Sequence, residues 1–163
     1  MTAAVIRDAA TDDDIAFARA LFVEYAQWLK VDLCFQGFDA ELATLPGTYA
    51  RPRGRLMLAG EPMRAFGCVA LRPLVADGGF EPGAAGEVKR LYIQPAARNG
   101  GWGRKLVEAV IIEARAIGYR ELKLDTLDWM TDARALYAKA GFVECPAYYR
   151  NPLPGAVYMS LVL

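Results

Sequence analysis

The sequence predicts an α/β (α+β) domain: a mixed, largely antiparallel central sheet flanked by helices. Three observations lead there. The 163 residues are 55% hydrophobic and 23% charged, the size and composition of one folding unit with a sizeable core. Short β-rich apolar runs alternate with segments whose apolar residues recur every three or four positions. Gly and Pro clusters punctuate the boundaries, and no repeat or linker divides residues 1–163, so a single domain is expected. The element order reads β-α-α-β-β-β-α-β-α-β-β.

Residues 3–7 read as a short first strand. Thr11, with Asp14 three positions on, forms a capping box for a helix whose apolar stripe is Ile15, Ala18, Phe22, Tyr25 and Leu29. Asp39 is placed to cap a second, shorter helix through Leu42 and Leu45 that stops near Pro46-Gly47. Residues 45–54 are rich in turn formers and read as a loop. Two β-rich runs, 55–59 and 63–71, flank Gly60-Glu61-Pro62, which reads as a hairpin. Residues 75–86 read as an exposed turn, and 87–93 as a strand opened by Glu87 and closed by Pro95. Leu106, Val110, Ala114 and Ile117 mark a helix stopped by Gly118. A strand follows at 121–126, then a helix that Thr131 caps and Gly141 ends, then strands near 142–143 and 157–162.

Composition excludes whole classes of chemistry. Lys+Arg and Asp+Glu are both 19, so no basic excess exists to grip nucleic acid or an anionic membrane. There is no histidine, which removes Ser-His-Asp and Cys-His catalysis and every His-containing zinc site. The one serine, Ser160, does not sit in a nucleophile elbow. Cys34, Cys68 and Cys145 form no CxxC pair and read as small buried residues of a reducing compartment. No metal is expected. The N-terminus has no signal-peptide pattern and no run reaches ~18 apolar residues, so the expected location is cytoplasmic.

The most informative stretch runs from a strand through Gly100, Gly101 and Gly103 into an amphipathic helix. Glycines there let backbone N–H groups face outward at the positive end of the helix dipole, which suits an anion, usually a phosphate. It is no Walker A loop, because Gly103 is followed by Arg104-Lys105-Leu106, and no Rossmann loop, because Leu106 stands where the third glycine is needed. Glycine alone leaves two readings open, an anion site or a strand-to-helix turn using glycine only for geometry.

Arg98-Asn-Gly-Gly101-Trp-Gly103 resembles the Arg/Gln-x-x-Gly-x-Gly/Ala signature of the GNAT superfamily of acyl-CoA-dependent N-acyltransferases. Ile93-Gln94-Pro95 before it, and Leu136-Tyr137 running to Gly141-Phe142 after it, are similar to the family's flanking elements in spacing and order. The runs 33–36 (Leu-Cys-Phe-Gln) and 45–49 (Leu-Pro-Gly-Thr-Tyr) add to the look of a small stand-alone member. Two departures stand out: Met130 replaces an asparagine common seven residues before the tyrosine, and Gly100 and Trp102 fill the variable loop positions.

The resemblance implies a sheet splayed at the acyl-CoA site. Amides of Asn99, Gly100, Gly101, Trp102, Gly103 and Arg104 would hold the pyrophosphate, with the Arg98 side chain as an added cation. Backbone groups of Leu91 and Ile93 would pair with the pantetheine arm. The co-substrate is acetyl-CoA or another short acyl-CoA. Tyr137 is the implied general acid for the departing thiolate. The base is Glu87 or a water chain, with Asp125 in reserve. Tyr25, Trp28, Phe35, Tyr148, Tyr149 and Asn151 are candidates to line the acceptor pocket, and Arg51, Arg53 and Arg55 could meet a carboxylate. The implied activity is acetyl transfer to the amine of a small molecule or amino acid; the alternative is a non-catalytic acyl-CoA-binding module. A homodimer is compatible with such a domain.

Overall fold

Strands that are apolar along their whole length need cover on both faces, and the molecule supplies it with one central sheet between two helical layers. The computed structural model describes residues 2–75 and 83–163. Its strands are β1 (Val5–Asp8), β2 (Arg55–Glu61), β3 (Arg64–Pro73), β4 (Ala85–Ile93), β5 (Glu121–Leu127), β6 (Val143–Glu144) and β7 (Ala156–Val162). They form one sheet in the order β1-β2-β3-β4-β5-β7-β6. Among the described residues, β4 against β5 is the parallel pairing and the other pairings are antiparallel. The helices are α1 (Asp12–Leu29), α2 (Phe38–Thr44), α3 (Trp102–Ile117) and α4 (Thr131–Lys139), so the chain order is as the sequence predicts.

One core lies under α3 and α4, where Leu106, Val107 and Val110 meet Val69, Leu71, Val88, Leu122 and Leu124. The other lies under α1 and α2, where Ala18, Leu21 and Phe22 meet Leu56, Leu58, Cys68 and Tyr92. The Thr11–Asp14 capping box forms as expected, and Arg7 adds an ion pair to Asp14 at 2.9 Å. Gly118 ends α3 with a left-handed φ of 100°. No described helix is long and apolar enough to cross a membrane.

Several boundaries differ from expectation. The first strand runs Val5–Asp8, and the hairpin turn is Pro62-Met63, because Glu61 still pairs with Arg64. Gly37, left-handed at φ 68°, feeds the chain directly into α2, so Asp39 falls in the first turn and caps nothing, and Leu45 lies past the end. Thr131 is the first helical residue of α4; Met130 holds the cap position without a side-chain bond. β4 opens at Ala85 rather than Glu87, since Ala85 pairs with Glu121 and Gly86 with both Pro73 and Leu122. Ala85 and Gly86 of the expected turn at 75–86 thus belong to β4, and residues 76–82 lie outside the described residues. The late short strand is Val143–Glu144. Of the cysteines only Cys68 is buried; Cys34 is exposed and Cys145 intermediate.

The arginine run serves the scaffold. Arg51 pairs with Asp8, Arg53 bonds the Gly83 carbonyl, and buried Arg55 pairs with Glu113 of α3 and donates to the Pro52 and Gly54 carbonyls.

Candidate active site

The sheet opens in the middle. β4 pairs with β5 over three positions only, Ala85↔Glu121, Gly86↔Leu122 and Glu87↔Lys123. Beyond them β4 stays with β3 and β5 stays with β7, and the two strands part. A bulge in β4 contributes: from Cys68 to Ala70 on β3 is two residues, while the partners run three, from Tyr92 to Lys89. Bulges bend a strand and increase its twist. Arg90 sits in it with a left-handed φ of 60°, which costs a non-glycine residue about 1–3 kcal/mol.

Arg90 is held there by its own side chain. Nε and Nη2 donate to Glu41 at 2.9 and 3.2 Å, and Nη1 donates to Gln36 Oε1 at 2.8 Å. The guanidinium lies 5.1 Å from the Phe38 ring centroid, and the Tyr49 hydroxyl donates to Glu41 at 2.8 Å. The runs 33–36 and 45–49 thus fasten the α2 segment onto the bulge.

Between the parted strands is an open cleft. Tyr25, Leu29, Leu33 and Gln36 form one side, residues 88–91 and 125–127 the parted strands, and Met130, Tyr137, Asn151 and Leu153 the rest. Trp28 and Trp129, both exposed, approach to 5.6 Å between ring centroids. Tyr137 is buried on α4, with Phe142 at 5.7 Å, and its hydroxyl has no hydrogen-bond partner among the described residues. Burial raises its phenol well above the ordinary range, and Tyr25 is pushed up to about 12 for the same reason.

At the far end of β4 lies the glycine loop. Asn99 and Gly101 are left-handed, at φ 66° and 76°, and α3 starts at Trp102 with no side-chain cap. The N–H groups of its first turn therefore face outward unclaimed by helix geometry. Gly103 does something else: a Cβ there would meet Leu136 at 3.1 Å, so this glycine lets α3 pack close against α4, next to Tyr137.

Residues 18–142 match the family model described as the acetyltransferase (GNAT) family. The chain belongs to that family. It is 40% identical over 149 residues to an N-acetyltransferase of Schizosaccharomyces pombe, covering 91% of this chain and 88% of that one. It is 32% identical over 135 residues to aminoglycoside N(6')-acetyltransferase type 1 of Stenotrophomonas maltophilia, covering 78% and 87%. The crystal structure of an acetyltransferase from Streptococcus agalactiae shares the fold over the whole of both chains, at a TM-score of 0.75 and 19% identity.

In this GNAT domain the other expected site residues fall into two groups. Tyr25, Tyr137, Asn151 and Leu91 line the cleft, and Tyr149 borders it through bonds to Asp125 and from Gln36 and Asn151. Phe35 is exposed outside it. Tyr148 is buried against Leu74 and Ala85, and its hydroxyl donates to Glu87 at 2.7 Å. Glu87 is itself buried, also paired with Arg72 at 2.7 Å, and does not line the cleft. The Arg98 guanidinium is engaged away from the loop: Nε donates to the Ile93 carbonyl at 2.9 Å, and the group stacks over Trp28 and Tyr92 at 5.0 and 5.7 Å. Ile93 is thus the less free of the two backbone positions expected for pantetheine. Trp102 packs edge-on against Phe66 at 5.2 Å, and Arg104 pairs with Glu108 on the exposed helix surface.

Gln36, Lys89 and Arg90 line the cleft and were not singled out by residue type. A charged residue inside an apolar strand reads as a solvent-facing position; only the run 33–36 carried a signal for Gln36. Asp125, the reserve base, is at the wall, bonded by Lys89 Nζ at 3.2 Å, by Asn151 Nδ2 at 2.9 Å and by the Tyr149 hydroxyl.

Proposed function

We propose that the protein transfers an acetyl group from acetyl-CoA to the primary amine of a small molecule or amino acid by direct attack. The observation that carries this is the parted β4–β5 cleft with the unpartnered Tyr137 hydroxyl on its wall, and the uncapped start of α3 follows β4 in the chain. The residues present fit acyl-CoA. Unclaimed amides at 99–104 suit a pyrophosphate, and the exposed edge of β4 at Leu91 suits the peptide-like pantetheine arm. Bound acetyl-CoA supplies the thioester. Tyr137 keeps its proton at neutral pH, because burial lifts its phenol, and holds that proton for a departing thiolate. Glu87 is committed to Arg72 and Tyr148, so the proton of the attacking amine leaves through water at the cleft mouth.

The test is thiol release from acetyl-CoA across an amine panel. The expected result is acceptor-dependent release in the wild type, reduced ~10²–10⁴-fold in kcat by Tyr137→Phe, the usual scale of one general acid. Wild-type protein that binds CoA and transfers to no amine would favour the non-catalytic acyl-CoA-binding module instead.

A further inference from the structure

Lys89 is a buried ammonium with one hydrogen-bond partner among the described residues. Its side chain is 4% exposed, it lines the cleft, and among the described residues Nζ makes one hydrogen bond, to Asp125 Oδ1 at 3.2 Å. An ammonium carries three donors, and leaving them unmade in a place water reaches poorly is costly. The other charges at the wall are already committed. Arg90 is spent on Glu41 and Gln36. Asp125 accepts from Lys89, Asn151 and Tyr149, leaving little room for a further donor. A polycationic acceptor therefore meets no open carboxylate among the cleft's described lining residues. The remaining walls are largely apolar, with Leu29, Leu33, Met130 and Leu153 among them, and the cleft must also admit the acyl end of the donor.

Resting on the acetyl-transfer reading, we infer that the acceptor is a compact amine bearing a carboxylate, and that Lys89 receives the carboxylate. The pairing completes the ammonium's hydrogen bonds with a charge-assisted contact, one of the stronger kinds. The same amine without its carboxylate leaves Lys89 as it is and gains nothing from it.

The experiment compares amino acids with their decarboxylated amines on the wild-type protein, phenylalanine with phenethylamine and leucine with isoamylamine, by thiol release from acetyl-CoA. The carboxylate-bearing member is expected to have a kcat/KM at least ~10-fold higher, the scale of one hydrogen bond to a charged group. Lys89→Met should bring that ratio close to one, chiefly by raising KM for the amino acid, and Lys89→Arg should restore part of it. If the decarboxylated amines, spermidine or kanamycin are used as well as or better than the amino acids, this inference falls while acetyl transfer stands. If CoA binds but no amine promotes thiol release, the transfer reading falls and takes the inference with it. The wild-type ratio decides without reference to the folding of any variant.

Discussion

Burial by itself would raise the Asp125 carboxyl, but the Lys89 charge and hydrogen bonds from Tyr149, Lys89 and Asn151 outweigh it and hold the group below the ordinary range. A carboxyl whose folded value lies below its unfolded value of about 3.9 contributes stability that is complete above that value and is lost as pH falls through the folded value. Asp125→Asn leaves Lys89 buried without its counter-charge, and breaking such a pair from one side costs about 3–5 kcal/mol. Urea midpoints should therefore separate clearly at pH 7, and the gap between wild type and variant should narrow below about pH 4, as the wild-type carboxyl takes up its proton. A gap unchanged by acid would mean that the pair carries no pH-dependent stability. Tyr137 works in the opposite direction on the pH axis. With its phenol lifted above an ordinary ~10, thiol release should climb through the alkaline range as the acceptor amine loses its proton, without turning down before ~pH 10. A downturn near pH 8 in the wild type, retained in Tyr137→Phe, would assign the acid to another group.

At the scale of elements, the cleft depends on a contact between α2 and the bulge of β4. Glu41 compensates a buried Arg90 that also sits in a left-handed conformation, so its removal exposes two costs at once. Glu41→Ala should lower unfolding free energy by about 3–5 kcal/mol in chemical denaturation, and Tyr49→Phe, which removes one donor to Glu41, by about 1 kcal/mol. This clamp was beyond a reading of the sequence. Helical stripes and glycine punctuation are local patterns, and they placed α1, α3 and the glycine loop in the right order, whereas Tyr137 stood out only through the resemblance of residues 136–142 to a family element. A bulge is a relation between two strands, visible only when Cys68–Ala70 is counted against Tyr92–Lys89. Ala85 and Gly86 carry little strand character, so the sequence reads Glu87 as the residue that opens the strand when it lies inside a ladder on both sides. Lys89, Arg90 and Lys123 are buried as well. Their charges belong to a buried polar face, and residue type alone assigns such charges to solvent.

Over the whole molecule, two half-sheets, β1–β4 and β5–β7–β6, are joined at the strand level by the short parallel segment 85–87 against 121–123. A ligand seated between them has contacts to offer both halves, and binding the native state alone must stabilise it. Net charge is zero, so attraction for an anionic ligand has to come from the outward amides at the start of α3 and a few nearby side chains, with no basic field over the surface. Both features can be read in one thermal titration. CoA at ~100 times its Kd should add about 2.7 kcal/mol, raising the melting temperature by roughly 5–10 °C for a chain of this size. Hydrogen exchange should slow together at the Leu91 edge of β4 and at the loop amides 99–104. Gly101→Ala puts a side chain on a left-handed residue at φ 76° and should cost about 1–2 kcal/mol without ligand. Because the loop geometry sets the direction of the amides, the CoA-induced shift of that variant should shrink as well. A full shift in Gly101→Ala, or a tenfold loss of wild-type CoA affinity between low and moderate salt, would move the anion site from the backbone to the charged surface.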